Sequence, residues 1–97
     1  MPDGILQAVG AEAETILHQR GLGHLHVRVY GKHIIVHSGA AQDGENRARF
    51  TMLGPGRYRL DMADHRGRWE QTPFEGPLRD LLAQLIDQFG FVLVPWE

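Results

Sequence analysis

The residues best able to do chemistry crowd into one stretch, HLHVRVYGKHIIVHSG, where four of the six histidines fall between His24 and His37. Imidazole is a common zinc ligand and the usual proton carrier near neutral pH. His24 and His26 stand two residues apart, which on an extended strand puts both on one face. A chain that turns back at Gly31-Lys32 brings His37 opposite His26. Three imidazoles so placed can surround a zinc ion and leave one position open, the arrangement of a catalytic rather than a structural zinc. His24, His26 and His37 are therefore a candidate ligand set, with zinc as the implied ion. The competing reading is the wet face of a β-hairpin. Adjacent arginines oppose a dication, and the nearest acids in sequence, Asp43 and Glu45, belong to a following loop. His18 at a helix end and His65 in a turn read as surface residues.

Arginine is the second chemical resource. Arg28, Arg47, Arg49, Arg57 and Arg59 alternate with apolar residues, so they project from one side of a pleated surface. Guanidinium forks bind phosphate and carboxylate in two-pronged fashion, which makes these five the candidate anion contacts. Twelve acids against ten bases leave the chain at −2 overall. Glu12, Glu14, Asp43, Glu45, Glu75, Asp80 and Asp87 fall on the expected helices and loops, so one side is basic on a slightly acidic protein. Sheets that bind single-stranded nucleic acid normally add exposed aromatics. Here Phe50, Tyr58 and Trp69 are expected to point inward, leaving Tyr30 outside.

Other chemistries are absent. Ser38 is the single serine, there is no Gly-x-Ser-x-Gly, and there is no cysteine for thiol work or disulfides. Gly21-Leu22-Gly23 follows a helix rather than opening one, so it reads as a cap and not a phosphate loop. No pair of carboxylates is set for acid–base work. The reading is of a non-enzymatic chain.

The elements that must position these groups are delimited by glycine and proline. Ile5, Leu6, Val9, Ala13, Ile16 and Leu17 recur at helical spacing from Gly4 to Arg20, with Asp3 as N-cap and Gly21 as the left-handed cap. Gly10 inside this helix implies close packing on a strand. Leu25, Val27 and Val29 alternate with polar residues, and a Gly31-Lys32 turn of type II′ pairs Tyr30 with His33, Val29 with Ile34 and Val27 with Val36. RARFTML and RYRLDMA flank Gly54-Pro55-Gly56, read as a three-residue loop pairing Leu53 with Arg57. Ala48, Phe50 and Met52 then face Met62, Leu60 and Tyr58. A short strand, Arg68 to Thr72, follows with Trp69 inward, although a three-residue loop with a bulged Gly67 would invert it, and PFEGP ends the sheet. Leu78, Leu81, Leu82, Leu85, Ile86 and Phe89 stripe a second helix from Pro77 to Phe89. Phe91 to Val94 is apolar on both faces and reads as a short final strand.

The expectation is one α+β domain over residues 1–97, ordered α-β-β-β-β-β-α-β. Its mostly antiparallel five-stranded sheet carries the N-terminal and C-terminal helices on one face. The length suits one core, no apolar run could cross a bilayer, and the N-terminus lacks a signal-peptide pattern, all of which fits a cytoplasmic protein. Function is expected to lie in binding. Another protein is the expected partner, through the arginine/histidine face or through the C-terminal strand, with nucleic acid or another polyanion on the arginine face as the alternative. Phe91, Leu93 and Trp96 are the candidate interface residues, Trp96 being a natural anchor, and a homodimer through that segment is the associated expectation.

Overall fold

The computed structural model describes residues 4–39, 45–64, 66 and 68–90. Helix α1 spans Gly4–Gln19, and five strands follow: β1 Leu25–Tyr30, β2 His33–Ser38, β3 Glu45–Gly54, β4 Arg57–Ala63 and β5 Trp69–Gly76. Helix α2, Leu78–Gln88, completes the order. The strands form one antiparallel sheet in the order β1-β2-β3-β4-β5, so each pairs with its neighbour in sequence. The fold is α+β, as expected. Phe91, Leu93, Trp96 and the strand expected at 91–94 lie outside the described residues, as does the N-cap assigned to Asp3.

Helix α1 stops where its glycine allows it to. Gly21 sits at φ 82°, the Leu22 N–H donates to the Leu17 carbonyl at 3.0 Å, and the Gly21 N–H donates to His18 at 3.2 Å. These two bonds are the Schellman closure that satisfies the last carbonyls of a helix. Gly10 is buried, and a Cβ there would stand 3.2 Å from Val29 Cγ2 and 3.4 Å from Val27 Cγ1. The missing side chain is what lets α1 lie close on β1.

Both helices share one core with one side of the sheet. Leu6, Ala13 and Leu17 from α1 and Leu78, Leu81, Leu82 and Leu85 from α2 join Ile34, Val36, Ala48, Phe50, Tyr58 and Leu60. Period-2 alternation in the strands and a 3.6-residue stripe in the helices both aim at this layer. An Arg79–Glu12 ion pair at 3.1 Å ties α2 to α1 at the surface.

Hairpin registers follow the hydrophobic pattern, with local departures. The β1–β2 pairing is the expected one throughout, including His26 opposite His37. Gly31 has φ 59° while Lys32 stays at negative φ, the type II′ signature. In the second hairpin Ala48, Phe50 and Met52 do face Met62, Leu60 and Tyr58, but Gly54 rather than Leu53 pairs with Arg57. The loop is therefore Pro55-Gly56, with Gly56 at φ 69° as a type II turn requires, and Leu53 bulges outward, 42% exposed.

The fifth strand differs more. PFEGP does not end the sheet: β5 runs through Pro73 to Gly76 and slips past β4 between Arg59 and Asp61. Thr72 supports the slip, its hydroxyl donating to the Leu60 carbonyl at 2.7 Å and accepting from the Phe74 N–H at 3.2 Å. Proline is tolerated because β5 is an edge strand and a bulge needs no ladder bond there. Trp69 pairs with Ala63 and stands on the open side of the sheet, not inward. The connection from β4 sets that facing. Asp64 caps it, its Oδ1 accepting from the backbone N–H groups of Arg66 and Arg68 at 2.8 Å each, and the resulting turn delivers Trp69 with the opposite parity.

Candidate functional site

The side of the sheet away from the helices is organised in cross-strand rows. One row runs Arg28, Ile35, Arg49, Asp61, Gln71 across all five strands, and the next runs Tyr30, His33, Thr51, Arg59, Glu75. At their centre Asp61 is fully buried. Its Oδ2 accepts from Arg49 Nε at 2.7 Å and from the Thr51 hydroxyl at 2.9 Å, and its Oδ1 accepts from Arg59 Nε at 2.8 Å. Burial alone would raise this carboxyl. The hydrogen bonds from Arg59, Arg49 and Thr51, with the Arg59 charge, outweigh it and hold the group below the ordinary carboxylate value. The Arg49 guanidinium also lies over Trp69, 4.6 Å from the ring centroid, in cation–π geometry. The face is thus a rigid lattice rather than a set of waving cations.

His33 completes this lattice. Its Nδ1 is 2.9 Å from Thr51 Oγ1, and the single Thr51 hydroxyl proton is already given to Asp61. Nδ1 therefore donates and Thr51 accepts. A nucleophile and its base need the opposite polarity, with the ring accepting the hydroxyl proton, so His33-Thr51-Asp61 is a scaffold and not a catalytic relay. Burial, then the charge of Arg49, lowers the His33 pKa below the ordinary value, which agrees with a neutral ring.

The sequence-derived anion contacts have unlike fates. Arg49 and Arg59 are 17% and 19% exposed at the side chain and share Asp61. Arg57 is 65% exposed and pairs with Glu75. Arg28 donates to the Asn46 amide oxygen at 3.2 Å and meets no carboxylate among the described residues. Arg47 is not on the wet surface: it sits where β3 slips past β2, is 3% exposed, and donates from Nη2 to Ser38 Oγ at 3.1 Å. Burial lowers its pKa. Arg68 folds back on Asp64 at 3.3 Å.

The expected histidine cluster is also redistributed. His26 and His37 do meet across the hairpin, with ring centroids 6.0 Å apart and planes tilted by 42°. His37, however, is 4% exposed, and its buried Nδ1 makes no hydrogen bond within the geometric limits among the described residues. Burial, then the Arg28 charge, lowers its pKa. Among the described residues, the group whose donor atoms converge is a different one: Glu14, His18 and His26, each offering an atom within 4.8 Å of the others. His24 and His37 are not in it.

Helix α1 brings that group together by reaching the free edge of β1. Glu14 Oε2 accepts the Val27 N–H at 2.7 Å, and His18 Nε2 lies 2.8 Å from the Leu25 carbonyl. Because β1 is the outer strand, these are edge groups that no strand among the described residues pairs. A cleft of about 180 Å³ opens alongside, lined by Gln7, Gly10, Glu14, Val27 and Val29 among others. Compared with known families, curated proteins and solved structures, the chain matches none.

Proposed function

We propose that this chain is a binding module whose open sheet face docks an acidic segment of another protein. One observation carries the reading: among the described residues the open face holds Arg28, Arg49, Arg57 and Arg59, four guanidinium groups, against two carboxylates, Asp61 and Glu75. Asp61 uses its lone pairs to aim Arg49 and Arg59, so their remaining N–H donors are positioned before any partner arrives. Preorganised donors lose less side-chain entropy on binding than free ones. Trp69, beneath Arg49, adds a flat apolar floor of the kind that anchors protein interfaces.

Nucleic acid is the less favoured occupant. Single-strand platforms need successive exposed aromatics, and here the open side presents Trp69, already stacked by Arg49, with Tyr30 at the far edge. Among the described residues no helix is long and apolar enough to cross a membrane.

The test is a titration of the full chain with a short poly-glutamate peptide and, separately, with single-stranded DNA, each at low and physiological salt. The expected result is saturable peptide binding that weakens at least about tenfold in Arg59→Gln, a loss on the scale of one charged hydrogen bond. Tighter DNA binding with a steep salt slope would transfer the face to a polyanion. No binding of either would remove the proposal.

A further inference from the structure

Glu14 and His18 are four residues apart on α1, the spacing that stacks two side chains on one helix face. That face looks along the edge of β1, where His26 projects. Glu14 Oε2 and His26 Nδ1 are 4.0 Å apart, and the His18 and His26 rings meet edge to face with centroids 6.2 Å apart. We propose that Glu14, His18 and His26 form a binding site for a divalent cation of the zinc type, with one coordination position left to water.

The local hydrogen bonds prepare these ligands. A carbonyl oxygen only accepts, so the 2.8 Å contact to Leu25 puts the His18 proton on Nε2 and the lone pair on Nδ1. This is the outer partner that metal-binding imidazoles characteristically keep, a backbone carbonyl fixing both tautomer and ring orientation. The Val27 N–H holds the Glu14 carboxylate in the same way and leaves Oε1 uncommitted to the strand. Both ligands are therefore oriented by the edge of a sheet, a rigid support. His26 is 49% exposed and Glu14 35% at the side chain, so an ion has a path in and water has room to stay.

The donor set selects the ion class. Two imidazoles and a carboxylate match the three protein ligands of an open zinc site, whereas magnesium and calcium ask for oxygen alone. Imidazole also accepts copper, nickel and ferrous iron, and affinity by itself does not separate these. Donor atoms within 4.8 Å need to close further to share one ion. The exposed His26 ring has the rotamer freedom to do so, and the Glu14 and His18 side chains need only converge within their tethers to the strand edge. Binding would bridge α1 to β1 and so favour the folded chain.

Edge capping by Glu14 and His18 is useful without any ion, so the experiment turns on His26, which caps nothing on that edge. Zinc is titrated into the full chain by calorimetry, with thermal unfolding and native mass as second readouts. One zinc per chain and a rise in Tm are expected for the unchanged protein. His26→Ala should lose at least about tenfold in zinc affinity, the scale of losing even an outer-shell partner, while its metal-free Tm stays as before. Glu14→Gln keeps an oxygen for the Val27 N–H and should weaken zinc while retaining the fold. His24→Ala should bind as the unchanged chain does. Three results would overturn the proposal: no zinc on the unchanged protein, full affinity in His26→Ala, or a loss in His24→Ala equal to that in His26→Ala, which would put the ion on the hairpin histidines instead.

Discussion

Asp61 is the residue on which the open face depends. It is fully buried and accepts from Arg49, Arg59 and Thr51. Asp61→Ala strands two guanidinium groups at once and should cost roughly 2–4 kcal/mol, at or below the usual range for breaking a buried pair because the arginines can turn toward water. Chemical denaturation measures this, and a cost near zero would mean the lattice contributes order without stability. A depressed carboxyl stabilises the fold above its unfolded value and stops doing so as pH falls through the lower folded value. Its contribution should thus survive down to about pH 4 and fade only below it. His33 and His37 act in a separate window. Both are pulled below the ordinary histidine value, by burial first and then by Arg49 and Arg28 respectively. The unfolded chain takes up these protons near pH 6.5 and the folded chain resists them, so stability should decline as pH falls from about 6.5. Urea midpoints at about pH 7.5 and 5.5 would show it, and His37→Gln should shrink the difference. Equal midpoints in the unchanged protein would refute the assignment.

At the scale of elements, the fit of α1 on β1 rests on the absence of a side chain. Gly10→Ala gains about 1 kcal/mol of helix propensity and meets Val29 at a distance that the half-buried edge valine can relieve, so little net change is expected. Gly10→Leu cannot be relieved and should destabilise by about 1–3 kcal/mol. Thermal unfolding of the two variants separates them, and similar Tm values would contradict close packing. Alternation and turn residues were enough to read the first hairpin, the facing of Ala48, Phe50 and Met52 on Met62, Leu60 and Tyr58, and both helices, because one buried face permits one register; the bulge at Leu53 was not legible. They were not enough for β5. The facing of Trp69 depends on the parity of the connection after Ala63, and Asp64, by folding that connection onto its own carboxylate, sets a parity that composition does not reveal. The bulge that buries Arg47 is equally silent, since one slipped residue leaves the hydrophobic pattern of β3 intact. Arg49, Arg59 and Asp61 were legible as one face. Glu14 and His18 were not read as a pair with His26, because their nearness depends on how α1 is rotated and seated over the edge of β1.

Across the whole molecule, the two sides of the sheet divide the work. One side and both helices supply the apolar core. The other carries a polar lattice in which Asp61 and Glu75 offset part of the charge of Arg49, Arg57 and Arg59. Its two sheet edges are guarded by different means: α1 side chains bond the edge groups of β1, while β5 carries Pro73 and an irregular register. The order β1-β2-β3-β4-β5 has a consequence in time as well as space. Every strand pairing joins neighbours along the chain, so each hairpin closes only a short loop and incurs little closure entropy. Topologies of low contact order fold faster than sandwiches or barrels with distant pairings. The most remote partners are the two helices, joined by Glu12 and Arg79. By the same loop-closure argument, their contact should form after the local hairpins.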